Sequence, residues 1–145
     1  MNTPESAPQQ FTVEVTFDLC SQPRFLPIVR ATVGQLASIV GWNETETGEI
    51  TMAVDEALAN VIRHAYHGRT DARIDLHCRA CEGLLEIRIR DTGDPPDPAR
   101  ICAREVGCDR IGGLGTHIIR DVMDKVSYDT GEDGNWFTAI KRLRR

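Results

Sequence analysis

The chain has 145 residues, 41% hydrophobic and 27% charged, with 17 Lys and Arg against 22 Asp and Glu for a formal net charge of −5. That length and balance describe one globular domain able to bury its own core, and the negative charge argues against direct nucleic-acid binding. No apolar run approaches the roughly 20 residues of a membrane span, and five cysteines without a secretory h-region argue for reduced thiols in a cytoplasm.

Residues 1–10 are polar and proline-bearing, and are expected to form a flexible lead-in to a single domain over 11–145. "FTVEVTFD" (11–18) alternates apolar and polar residues and predicts a first strand. From Arg24 to Val40, the residues Leu26, Val29, Val33, Leu36 and Val40 recur at helical spacing, with Pro27 tolerable in the first turn and Gly41 ending the helix. A second helix is predicted from about Glu46 to Tyr66, stopping at Gly68. "ARIDLHCRA" and "GLLEIRIRD" alternate on either side of Cys81-Glu82-Gly83 and predict a hairpin. The stretch 92–113, rich in proline and glycine, reads as a long functional loop such as a lid. "THIIRDVMDKV" (116–126) resumes helical spacing, and "VSYDT" with "NWFTAIKRL" predicts a closing hairpin. The order implies an α+β two-layer sandwich, a mixed, mostly antiparallel sheet with helices on one face.

Cys78-Arg-Ala-Cys81 has zinc-ligand spacing, and Cys102 with Cys108 could complete a site. The second pair is spaced too loosely for a zinc ribbon, so these thiols and Cys20 are read as buried or incidental. The basic tail Lys141 to Arg145 is read as a solvated strand end.

Three features stand out. On the second helix, Glu56, Asn60 and His64 fall four apart on one face, opposite an apolar stripe of Ile50, Val54, Ala57, Val61 and Ala65. A strand then ends in Asp91-Thr-Gly93, and Gly112-Gly113-Leu114-Gly115 opens a helix. Each alone has a bland reading: a solvated face, a common turn, glycines that permit tight packing. Together they point to nucleotide binding. Glycine-rich backbone at a helix N-terminus offers N–H groups to phosphate, and an Asn oxygen suits Mg²⁺. A carboxylate at a strand end can accept from an exocyclic amine. Glu56, one turn before Asn60, could take a proton from an attacking hydroxyl.

"AVDEALANVIRHAY", "IRDTGD" and "GGLGTHIIRDVMDKV" resemble the N, G1 and G2 boxes of the GHKL, or Bergerat-fold, ATPases. Within that superfamily the chain is similar to the stand-alone anti-sigma-factor serine/threonine kinases, over about residues 11–143, including the helix "RFLPIVRATVGQLASIVGW". The resemblance implies ATP and Mg²⁺ as cofactors, with Glu56 as general base and Asn60 as magnesium ligand. It implies that Asp91 binds the adenine amino group, Gly93 admits the base, and Gly113, Leu114, Gly115 and Thr116 line the phosphates. His64 and Tyr66 would shape the pocket rim, and Arg110 would lie near the phosphate or the partner. Asp94 and Pro95 depart from the Asp-x-Gly-x-Gly pattern common in the G1 box. No phosphoacceptor-histidine dimerisation module precedes the domain, as a complete sensor histidine kinase requires.

The implied function is an ATP-dependent kinase that phosphorylates a serine on a STAS-type antagonist and sequesters a sigma factor. The family commonly forms a homodimer through the face bearing its first helix and strand. The alternatives are a non-catalytic ATP-binding switch acting on a partner such as a phosphatase, a detached histidine-kinase catalytic domain, and a plain α+β domain without nucleotide.

Overall fold

The computed structural model describes residues 10–97 and 114–144, with side chains from 117 onward in the second span. Strand β1 (Val13–Cys20) leads through a short turn of 3-10 helix at Pro23–Phe25 into helix α1 (Leu26–Val40). Helix α2 (Glu44–Asn60) follows and continues into a π-helical turn at Val61–Ala65. The β2 (Arg73–Cys81) and β3 (Leu84–Asp91) hairpin comes next, then helix α3 (Leu114–Val122) and the β4 (Lys125–Gly131) and β5 (Gly134–Arg142) hairpin. The expected lid from residue 98 onward, with Cys102, Cys108, Arg110, Gly112 and Gly113, lies outside the described residues.

The strands form one sheet in the order β1-β2-β3-β5-β4, and every pairing in it is antiparallel. Alternation sets the faces. Ile74, Leu76, Cys78 and Ala80 of β2 align with Leu85, Ile87 and Ile89 of β3 on one side, and all seven are buried. Val29 and Val33 of α1 and Ile50 and Leu58 of α2 join them in the same core. Each such aliphatic side chain stabilises the fold by about 1.5–3 kcal/mol when fully buried. This is the two-layer arrangement that the alternating and helical periods imply.

Two of the boundaries that differ from expectation have a clear physical cause. Helix α2 begins two residues earlier because Asn43 and Glu46 form a reciprocal capping box, with Glu46 N–H donating to Asn43 Oδ1 at 2.9 Å and Asn43 N–H to Glu46 Oε2 at 3.0 Å. Helix α3 ends at Val122 rather than running to Val126, which lies in β4. The sheet takes over there: Asp124 N–H donates to the Ile140 carbonyl at 2.8 Å, and Lys141 Nζ donates to the Val122 carbonyl at 2.6 Å. An ammonium on the last helical carbonyls suits the negative end of the dipole. No glycine or proline marks this stop, so the local pattern runs past it.

Candidate active site

Asp91 closes β3 on the core-facing side, in register with Ile74 on one neighbour and Asn135 on the other. It is 7% exposed. Its Oδ1 accepts from Gly93 N–H at 3.0 Å and from Asn135 Nδ2 at 2.8 Å, whereas no hydrogen bond reaches Oδ2 among the described residues. Burial pushes the Asp91 carboxyl up from its ordinary value, and the Asn135 and Gly93 donors act against that push. The result is a carboxylate with one oxygen held by the protein and the other presented as an acceptor.

Two glycines make room for this corner. A Cβ on Gly93 would collide with the Ala65 carbonyl oxygen, and one on Gly134, at φ +120°, would collide with the Asp91 carbonyl oxygen. Gly93 therefore serves the close approach of the loop to the end of the α2 segment. Beside it, Asp94 N–H donates to the Ala65 carbonyl at 2.9 Å and satisfies one of the acceptors that a helix end leaves open. Tyr66 is buried, its hydroxyl accepting from Thr92 N–H at 2.9 Å and donating to the Arg73 carbonyl. That is the structural part expected of it. His67 Nε2 and Asp94 Oδ2 meet at 2.5 Å on the surface of the same junction.

On α2, Glu56 and Asn60 are half-buried and share one partner. Arg63 Nη2 donates to Glu56 Oε1 at 2.7 Å and to Asn60 Oδ1 at 3.0 Å. Arg63 thus joins the Glu56–Asn60 pair of the expected column. Arg63 keeps three-residue spacing from Asn60 and seven-residue spacing from Glu56, the short and long steps along one helix face.

Leu114, Gly115 and Thr116 form the first turn of α3, a helix that packs against α2. Their backbone N–H groups occupy the helix positions that suit an anion. Cys78 and Cys81 fall on opposite faces of β2, as residues three apart on a strand must. They cannot chelate one ion together, and burial pushes the Cys78 thiol up to about 12. Sequence reasoning missed Asn135, Gly134 and Arg63. Only Arg63 left a signal within its own segment.

A family model described as "Histidine kinase-like ATPase domain" matches residues 19–141. Over 128 residues the chain is 33% identical to a serine-protein kinase RsbW of Listeria innocua, covering 81% of this chain and 82% of the relative. It is 29% identical over 115 residues to the serine-protein kinase RsbW of Bacillus subtilis, covering 73% and 71%. In fold it is similar to a crystal structure of the RsbU and RsbW domains of a Mycobacterium tuberculosis protein. The TM-score is 0.65 and the identity 17%, over 92% of this chain and 33% of that one.

Proposed function

The chain belongs to the histidine kinase-like ATPase domain family, and from that premise we propose that it is an ATP-dependent serine/threonine protein kinase of the anti-sigma type. Its substrate is a serine on a small STAS-type antagonist, and its other partner is a sigma factor that it holds inactive in the cytoplasm. Phosphate on the antagonist adds negative charge at the docking surface and releases the kinase to bind that other partner. The relatives named serine-protein kinase support the phosphotransfer. No helix among the described residues is long and apolar enough to cross a membrane.

The observation that carries this reading is the junction at Ala65. The turn after Asn60 is bonded there to the loop after Asp91, so the segment that carries Glu56 and Asn60 is tied to the strand end that carries Asp91. Asp91 Oδ2 accepts from the adenine amine. Backbone at the start of α3 faces phosphate. Glu56 takes the proton of the serine hydroxyl while its oxygen bonds to the γ-phosphorus, the bond to the β–γ bridging oxygen breaks, and ADP leaves.

Asn60 Oδ1 and the Glu56 carboxylate fit a magnesium ion, being hard oxygen donors that already attract the Arg63 cation. Asn60 would ligate it, and when bound it neutralises charge on the phosphates. The Arg63 guanidinium on Glu56 also favours a second reading, an ATP-binding switch without catalysis, because a base engaged by a cation must first be released.

Incubation with labelled ATP and Mg²⁺ beside STAS proteins encoded nearby tests the first reading against the second. The kinase reading expects label on a serine of one of them. Nucleotide-dependent changes in partner affinity with no label on any cognate antagonist would replace it with the switch.

A further inference from the structure

Asn135 is fixed from three sides. Its Nδ2 donates to Asp91 Oδ1 at 2.8 Å and to the Gly93 carbonyl at 2.9 Å, and its Oδ1 accepts from the Thr130 hydroxyl at 3.1 Å. It is 7% exposed. Turning the amide over would set its oxygen against two acceptors, so the surrounding groups determine which way it points. The consequence falls on Asp91. Oδ1 is committed to Gly93 and Asn135, which fixes the plane of the carboxylate and leaves Oδ2 as the oxygen that faces a ligand.

We propose that Asn135 is the positioning residue that makes this site prefer adenine to guanine, by holding Asp91 with Oδ2 as a bare, correctly aimed acceptor. The inference rests on the reading of Asp91 as the base-recognising carboxylate. Adenine presents an amine donor where guanine presents a carbonyl acceptor. An aimed carboxylate oxygen bonds the first and repels the second. Without Asn135 the buried Asp91 keeps a single donor, Gly93 N–H, and is free to rotate and to take a proton. Burial already pushes it in that direction. A protonated carboxyl both donates and accepts, so it bonds the guanine carbonyl as readily as the adenine amine. A merely structural Asn135 would weaken all nucleotides alike.

Calorimetric titration of the full chain with ATP, GTP and purine riboside triphosphate, which lacks the exocyclic amine, separates these cases. The unaltered protein should prefer ATP to either competitor by about tenfold or more, the worth of a hydrogen bond to a charged group. In Asn135→Ala both preferences should shrink to within a few-fold. Asn135→Asp keeps the volume but turns an acceptor toward Asp91, and should lose the preference as well. Asn135→Ser, which retains a donor, should keep part of it. Thermal melting identifies which variants are folded, and the three substitutions make different demands on packing. Unchanged ATP-to-GTP and ATP-to-purine ratios in the folded variants would overturn the role of Asn135 while leaving Asp91 in place. Equal binding of all three nucleotides by the unaltered protein would instead overturn the Asp91 reading, and this inference with it.

Discussion

The two ends of the site meet at Ala65 and are built on opposite physical plans. At the Asp91 end, the Asp91 carboxylate and the Asn135 amide are packed out of water, and nearly every polar atom is committed to a partner at fixed distance. On α2, Glu56, Asn60 and Arg63 form an ionic cluster at the surface, where the Arg63 side chain is 56% exposed and that of Glu56 26%. The first plan suits recognition, since a buried group pays heavily for a mismatched partner. The second suits chemistry, since half-solvated charged side chains can exchange a guanidinium for a metal ion, a phosphate or a proton. Order at one end allows exchange at the other.

The largest test of that division is Glu56→Gln. It keeps shape and a hydrogen-bonding oxygen but removes the carboxylate proposed as base, so phosphate transfer should slow by about 10²–10⁴-fold while ATP binding is little changed. Single-turnover transfer beside calorimetry checks both halves. A variant that transfers at the unaltered rate would move the chemistry away from the α2 face.

Asp91→Asn should act the other way, on binding with the fold intact. Loss of a charged hydrogen bond predicts an ATP affinity lower by about 1.5–3 kcal/mol. The pH dependence has a definite sign. Because the folded Asp91 carboxyl is raised by burial, its contribution to stability is present below its unfolded value and is lost as pH rises through the folded one. At neutral pH the ionised group therefore opposes folding, and the Asn variant should melt no lower than the unaltered protein. On acidification through the interval between the raised value and the ordinary 3.8, the unaltered protein should gain relative to the variant while losing its ATP affinity. Melting curves and titrations across that interval test the sign, and a variant that melts far lower at neutral pH would contradict it.

The smallest effect belongs to Arg63→Ala. A solvent-exposed ion pair is worth about 0–1 kcal/mol, so melting should hardly move. A large loss of stability would mean that the ionic face is part of the scaffold, and the contrast between the two ends would fail.

The order of elements and the core stripes were legible because they are periodic: Val29 and Val33 on α1, Ile50, Val54 and Ala57 on α2, and the alternation of β2 and β3 all end buried. The Glu56–Asn60 pair was legible for the same reason. Asn135 was not, because its importance comes from register. Only the pairing of β3 with β5 sets it opposite Asp91, 44 residues away in the chain. Gly134 was hidden likewise, as the atom it makes room for belongs to another strand. The end of α3 at Val122 was set by a distant lysine, and the start of the π-helical turn after Asn60 has no signal of its own. Neither carries a breaker residue.

The π-helical turn at Val61–Ala65 also acts as a phase setter. One residue advances an α-helix by about 100°, so a turn carrying a surplus residue lags the helix before it by a comparable angle. That lag aims the Ala65 carbonyl at Asp94 N–H while Glu56 and Asn60 keep their own bearing. Deleting Ile62 from this turn would leave Glu56, Asn60 and Asp91 in the protein and yet rotate one end of the site against the other. The two motifs thus act as a geared pair, and a straight α-helix grafted in place of this segment would bring the right chemistry at the wrong angle.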